Sequence, residues 1–229
     1  MMTTRSTFDQ ELLNLRDNTL RLGRMVDTAI DRSIQALKER DQAMARQIIA
    51  EDEDINDLRF KIEEDCVRLI ALQQPAAHDL RFIVAVMNIV LDLERMGDHA
   101  AGIATIVLRM GDQPLLKPLI DLPRMARIAR EMLRFSLDAL MSENAQEAMS
   151  ITERDEEVDQ LYHQIFRELI SYMVEDPRTV TRAMYLLFCA HNVERIADRV
   201  TNICERVAFV ATGRMQEISS EAGTEAGIT

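Results

Sequence analysis

One five-residue motif occurs twice in the chain, a hundred residues apart. Residues 94–98 read ERMGD and residues 194–198 read ERIAD, and each copy lies in an apolar pattern of helical period. Because Glu94 and Asp98 are four residues apart, they share one helix face, where two carboxylates repel by roughly 0.2–0.5 kcal/mol. In the second copy Glu194 and Asp198 have the same spacing and should repel in the same way. The motif therefore indicates an internal repeat and raises the question of what lies between the carboxylates.

The composition favours long helices joined by few turns. Of the 229 residues, 47% are hydrophobic, which is enough for a sizeable core, and there are only 7 Gly and 5 Pro. The 14 methionines, together with Leu, Ala and Glu, are good helix formers. The chain is therefore predicted to be all-α.

Charge and hydropathy argue against direct binding to nucleic acid or to the membrane interior. The net charge is −12, whereas nucleic-acid-binding proteins carry basic patches. The longest apolar run, residues 82–91, is interrupted by Asn88 and is far shorter than the ~20 residues that span a bilayer. The N-terminal residues lack the apolar segment of a signal peptide, so a cytoplasmic protein is expected. Three widely spaced cysteines in apolar helical patterns are predicted to be reduced and buried: Cys66, Cys189 and Cys204.

The apolar period and the capping signals predict six helices. They cover about residues 7–39, 41–74, 77–110, 123–141, 144–175 and 178–212. Thr7, followed by Gln10, resembles a capping box at the start of the first helix, while Asp41 and Asn144 are predicted caps of the second and fifth.

The six helices divide into two similar halves. Residues 8–110 form a first three-helix repeat, and residues 124–212 form a second. Residues 111–123 hold three of the five prolines and are the predicted linker, and the small, polar tail 213–229 is predicted to be disordered. The expected architecture is two three-helix bundles joined end to end or side by side, with one merged six-helix domain as the alternative.

Each half also carries an acidic segment on its middle helix, at 51–57 and 153–159. At about 1.5 Å per residue, Asp52 lies roughly 33 Å from the following turn, and Asp98 lies roughly 31 Å from it on the next helix. Asn56 and Glu94 match in the same way, at roughly 27 and 26 Å. In the second half, Asp155 matches Asp198 in height and Asp159 matches Glu194. Each repeat is thus predicted to gather four oxygen-bearing side chains: Asp52, Asn56, Glu94 and Asp98 in the first, and Asp155, Asp159, Glu194 and Asp198 in the second.

A cluster of oxygen ligands suits hard cations such as Mg²⁺, Ca²⁺ or Mn²⁺, and also iron. The alternative is that the acidic segments are solvated helix faces. An interaction with the helix dipole is disfavoured, because both segments are predicted to begin about three turns inside their helices. Asn56 replaces an acid in the first repeat and should weaken a site there. The four histidines share no paired spacing, so none is a predicted ligand, although His99 follows Asp98 directly.

Several segments resemble the PhoU family. They are LERMGDHA (93–100) and VERIADRVTNICE (193–205), together with FKIEEDCVRLIALQQPAAHDLR (60–81), LISYMVEDPRTV (169–180) and FCAHNVERIADR (188–199). The resemblance covers about residues 8–212, and both copies match in order and spacing.

The resemblance implies an all-α protein of two three-helix bundles that is usually a homodimer. Family members bind multinuclear metal clusters through Glu/Asp-x-x-x-Asp pairs, which correspond here to the eight residues given above, with iron, manganese, magnesium or zinc as the expected metal. The resemblance further implies a cytoplasmic, non-enzymatic adaptor between PstB, the ATPase of the phosphate transporter, and the sensor kinase PhoR. Such an adaptor represses the phosphate-starvation response, and it reaches the membrane face only through its partners.

Two other functions fit an acidic helical chain. A ferritin-type di-iron enzyme needs Glu-x-x-His on core helices, and no glutamate here is followed by histidine at that spacing. The second alternative is a structural scaffold whose acidic residues only keep the protein in solution. Neither a nucleophile nor a phosphate-binding Gly-rich loop is evident, so catalysis is not expected.

Overall fold

The structure is a computed structural model that describes residues 4–215, and within that range it contains α-helices, one 3₁₀ turn and no strands. The helices are α1 Thr4–Glu39, α2 Gln42–Gln73, α3 Ala77–Met110, α4 Asp121–Ser142, α5 Ala145–Thr152, α6 Asp155–Glu175 and α7 Val180–Thr212, with the 3₁₀ turn at Pro177–Thr179. The all-α prediction is confirmed. Residues 216–229 of the predicted disordered tail lie outside the described residues.

Two predicted helix caps are present and one is not. The Asp41 side chain accepts hydrogen bonds from the backbone amides of Ala43 and Met44, both at 2.9 Å, and Asn144 accepts one from Glu147 N at 3.1 Å. Thr7 is not a cap, because α1 is already helical from Thr4. The sequence signal there was a local coincidence inside a longer helix.

The predicted fifth helix is divided in two at residues 153–154. The Thr152 hydroxyl donates to Met149 O at 2.7 Å, and Arg154 N donates to Ile151 O at 3.1 Å, which closes a tight turn. α6 then begins with acids at 155–157, where the positive end of the helix dipole favours carboxylates. The prediction that both acidic segments lie three turns inside their helices is therefore wrong for the second one.

Each half forms a three-helix bundle, and the two bundles lie side by side. α1, α2 and α3 pack on one another, as do α4, α6 and α7, with the short α5 against α7. Between the bundles α3 packs along α7 and α1 packs against α4, so one apolar core runs through both. At Gly23 a Cβ atom would lie only 2.2 Å from Leu137 Cδ1, which shows how closely α1 approaches α4.

The linker is held against the second bundle. Leu115, Leu116 and Leu119 pack on the core, and Lys117, whose side chain is 8% exposed, forms an ion pair with Glu168 of α6. Such a contact fixes the start of α4 relative to α6.

All three cysteines are free and buried, as predicted. Within residues 4–215, no helix combines the length and the hydropathy that crossing a bilayer requires.

Candidate functional site

The acidic residues of the first repeat lie between α2 and α3. Gly97 allows these helices to approach, since a Cβ atom there would lie 3.2 Å from Asp52 Oδ1 and at the same distance from Ile55. Burial, together with the charges of Asp98 and Glu94, raises the pKa of Asp52 to about 6. The structure thus brings these three carboxyl groups into one neighbourhood, which we call the first acidic cluster together with Asn56.

The amide nitrogen of Asn56 is engaged within its own helix. Its Nδ2 donates to the backbone oxygen of Asp52, one turn back in α2, at 3.2 Å. The cluster therefore contains three acids and an amide that is already engaged.

A basic residue from α2 also contacts the first acidic cluster. The Arg59 guanidinium lies 3.7 Å from Glu94 Oε1 and donates to Glu63 Oε2 at 2.7 Å. Burial and the Asp98 charge raise the pKa of Glu94, while Arg59 and Arg95 counteract the increase. Glu94 is consequently a carboxylate that already has a positive partner.

The second acidic cluster consists of Asp155, Asp159, Glu194 and Asp198 and lies between α6 and α7. Asp155 is only 7% exposed, and burial raises its pKa to about 7, with Asp159 and Asp198 adding to the shift. Burial raises the pKa of Glu194 to about 7 as well, and its neighbours include Asp198, Asp159 and Asp155. The four acids therefore interact electrostatically as one group.

Two oxygens in this cluster are buried without a hydrogen-bond partner. They are Asp155 Oδ1 and Glu194 Oε2, although the Nδ1 atom of His191 lies 3.3 Å from the latter. Asp198 is paired within its own helix, where Arg195 donates to Asp198 Oδ2 at 2.8 Å. Buried acceptors that lack a donor are costly, and a cation between the helices would satisfy them.

The orientation of the acidic side chains bears on the prediction that they are metal ligands. Within residues 4–215, no three His, Cys, Asp or Glu side chains stand close enough together to hold a metal ion as they are oriented. The second acidic cluster still fits a cation by its unpartnered buried oxygens and its mutually repelling acids. The first acidic cluster fits less well, because Arg59 engages Glu94. The role of all eight residues as ligands stays a prediction.

Three neighbours of the clusters were missed in the sequence. When the two repeats are aligned so that Asp52 matches Asp155, Arg59 matches Tyr162. A position-by-position comparison of the repeats could therefore have found both residues. His191 precedes Glu194 by three residues, which places both on one helix face.

Polar groups also join the two motif-bearing helices, which run antiparallel. Asp92 is 8% exposed and accepts hydrogen bonds from Arg199 at 3.4 Å and from Asn202 at 3.3 Å. His99 Nδ1 lies 3.0 Å from Asn192 Oδ1. His99 thus serves the α3–α7 interface rather than the first acidic cluster.

Comparisons with known proteins agree with this architecture. A family model described as "PhoU domain" matches residues 19–107 and again 122–207. A phosphate-specific transport system accessory protein PhoU homolog from Clostridium acetobutylicum is 38% identical over 217 residues, covering 94% of this chain and 99% of that protein.

Two solved structures have the same fold. The crystal structure of the phosphate transport system regulatory protein PhoU from Streptococcus pneumoniae has a TM-score of 0.86 and 36% identity, covering 92% of this chain and 100% of that one. PhoU from Pseudomonas aeruginosa has a TM-score of 0.86 and 33% identity, covering 90% and 100%. Because the family model matches both bundles and the relatives match over their full length, the chain belongs to the PhoU family.

Proposed function

We propose that the protein is a non-enzymatic accessory protein of a phosphate-specific transport system. The observation that carries the proposal is the match of both repeats, over 94% of the chain, to a protein that bears this name. Within the transport system it acts as a cytoplasmic homodimer that links the ATPase PstB to the sensor kinase PhoR. By that link it represses the phosphate-starvation response when phosphate is plentiful. Cytoplasmic action follows from these partners, since both use ATP.

The proposal includes a bound metal ion, held by Asp155, Asp159, Glu194 and Asp198. Oxygen ligands from aspartate and glutamate suit magnesium, manganese or iron better than zinc, for which nitrogen and sulfur ligands are usual. A bound cation supplies positive charge to acids that burial and mutual repulsion otherwise destabilise. The protein's part is to hold α6 against α7 so that the four carboxyl groups converge. Arg195 has to give up Asp198 when the cation takes that carboxylate.

The adaptor role is supported by surface features suited to partner binding. Large apolar side chains are exposed on the second bundle, among them Phe166, Ile170 and Val174 on α6 and Phe188 on α7. Exposed apolar surface of this kind is typical of sites for protein partners. The acidic surface, with a net charge of −12, disfavours nucleic acid as the partner.

Co-purification with the transporter tests the adaptor proposal. Tagged protein should retain PstB, and the retained amount should change between phosphate-rich and phosphate-depleted medium. A strain that lacks the protein should express its phosphate-starvation genes even in rich medium. Equal low expression with and without the protein, and no retention of PstB in either medium, would contradict the proposal.

The metal is tested separately by elemental analysis of protein purified without chelator and without an affinity metal. At least one equivalent of a transition metal or magnesium per chain is expected. Protein that contains no metal and takes up no Mn²⁺ on dialysis would contradict metal binding. The acids would then serve only to keep a helical scaffold in solution.

A further inference from the structure

Two of the differences between the repeats lie in or directly beside the acidic clusters on the middle helix, and one of them is a mostly buried positive charge. Asn56 stands where the second repeat has Asp159. Arg59 stands where the second repeat has Tyr162. The first cluster thus has one acid fewer and, from the same helix, one cation more.

The Arg59 guanidinium is fixed on three sides. It donates to Glu63 at 2.7 Å, its Cζ lies 3.9 Å from the centroid of the Phe60 ring, and it lies 3.7 Å from Glu94. Only 14% of its side chain is exposed. A guanidinium that is paired, stacked and mostly buried is a resident cation of this site rather than a mobile surface charge.

The second acidic cluster has no guanidinium at the equivalent position of its middle helix. Tyr162 occupies the position of Arg59 and is uncharged. The guanidinium near this cluster is that of Arg195 of α7, whose side chain is 38% exposed and which pairs with Asp198. Two histidines also lie near the acids: His191 Nδ1 is 3.3 Å from Glu194, and His163 interacts electrostatically with Asp159. In the second cluster the buried atoms without a hydrogen-bond partner are carboxylate oxygens of Asp155 and Glu194, whereas in the first cluster the corresponding atom is the Arg59 Nε nitrogen. The negative charge of the second cluster is therefore less completely balanced by a buried guanidinium than the negative charge of the first cluster.

We infer that Arg59 takes the place of a metal ion in the first repeat, so that metal binding in this chain is confined to the second acidic cluster. A cation bound by Glu94 would face a fixed positive charge in contact with its own ligand, and like charges at that separation repel strongly in a partly buried site. Loss of the Glu94 charge to a cation would in turn leave the mostly buried guanidinium with Glu63 as its remaining carboxylate partner. The inference rests on the proposed function, because it presumes that the second cluster binds metal.

Exchange of the differing residues between the repeats tests the inference. The readout is Mn²⁺ bound per chain after chelation, equilibrium dialysis and elemental analysis, with circular dichroism to verify folding. Asn56→Asp/Arg59→Tyr gives the first repeat the residues of the second, and bound Mn²⁺ should rise about twofold. Asp159→Asn/Tyr162→Arg makes the reverse exchange and should remove most of the bound Mn²⁺. Asn56→Asp alone is the matched control, because it adds a carboxylate but keeps the guanidinium, and it should bind as much as the unaltered protein.

A second measurement requires no gain of binding and so does not depend on how the exchanged variant folds. Asp52→Asn/Glu94→Gln removes two acids of the first cluster and should leave the Mn²⁺ content unchanged. A loss of Mn²⁺ in this variant would overturn the inference while leaving the proposed metal function intact. A gain with Asn56→Asp alone that equals the gain of the double exchange would overturn the role of Arg59. Unaltered protein that binds no Mn²⁺ at all would instead overturn the metal function, and the inference with it.

Discussion

Asp155 and Glu194 are acids placed where water cannot fully stabilise their charge. Burial is the largest cause of their raised pKa values, both about 7, and neighbouring carboxylates add to it. Asp52 in the first repeat shows a smaller shift, to about 6. The identity of these residues and their pairing by height were predictable from the sequence, because helix rise fixes distance along the axis. Helix rise does not fix rotation about the axis, which is why Arg59 and His191 were missed.

The pH dependence of stability follows from these shifts. Asp155 and Glu194 have higher pKa values in the folded chain than in the unfolded chain, so the folded chain holds more protons between about pH 4 and 7. The free energy of unfolding of chelated protein should therefore fall as pH rises through this range, by on the order of 8 kcal/mol from the two residues together. Urea titrations at several pH values measure it. The variant Asp155→Asn/Glu194→Gln should show a flatter profile, and a profile as steep as that of the unaltered protein would contradict the assignment.

Asp198 and Asp98 occupy equivalent positions but should differ in their effect on bound metal. Asp198→Asn deletes a ligand of the second cluster, whereas Asp98→Asn alters a cluster in which Arg59 already engages Glu94. Asp198→Asn should therefore reduce both the metal content and the metal-dependent gain in melting temperature, and Asp98→Asn should change neither by much. A ligand at a hundred times its Kd stabilises a fold by about 2.7 kcal/mol, which sets the size of the gain that is lost. Equal metal content in both variants, with no effect of chelator on melting, would contradict this expectation.

At the scale of helices, most boundaries follow from local chemistry that the sequence displays. α3 spans the predicted residues, and Asp41 and Asn144 cap α2 and α5 as expected. The break at residues 153–154 was not predictable from periodicity, because apolar residues continue at helical spacing across it. Its signal was the run of three acids at 155–157, which suits a new helix N-terminus better than a helix interior.

The cap at Asp41 provides a direct test at this scale. Its side chain satisfies two backbone amides that would otherwise lack an acceptor. Asp41→Ala should lower the free energy of unfolding by about 1 kcal/mol, measured by urea denaturation. Asp41→Asn keeps the acceptor oxygen and serves as the control, with a much smaller loss expected. An alanine variant as stable as the asparagine variant would show that the cap contributes nothing.

At the scale of the whole molecule, the two bundles are joined through the same helices that carry the repeated motif. The sequence left open whether the bundles lie end to end or side by side, because periodicity reveals which face of a helix is apolar and not which helix covers it. The side-by-side arrangement depends on the apolar packing of α3 along α7 and of α1 against α4. Polar contacts of Asp92 with Arg199 and of His99 with Asn192 add to the α3–α7 interface. It places the two acidic clusters on either side of one shared interface.

The Asp92–Arg199 pair should contribute measurably to the stability of this interface. Arg199→Met leaves the buried Asp92 carboxylate with only Asn202 as a donor, which should cost about 1–3 kcal/mol in the free energy of unfolding. The double variant Asp92→Leu/Arg199→Met removes both charges and should recover much of the loss. Thermal and urea unfolding of the three variants, including Asp92→Leu alone, complete the double-mutant cycle. Strictly additive losses would contradict a direct interaction.

The position of bound metal in a crystal tests the central claim most directly. Protein freed of metal by chelation is crystallised, soaked in Mn²⁺ and measured at the Mn absorption edge, so that anomalous scattering locates the ions. We expect a strong peak between α6 and α7, within about 2–2.6 Å of carboxylate oxygens of the second acidic cluster, and no peak between α2 and α3. The absence of any peak at the second cluster, or a stronger peak beside Asp52 and Glu94, would contradict the account.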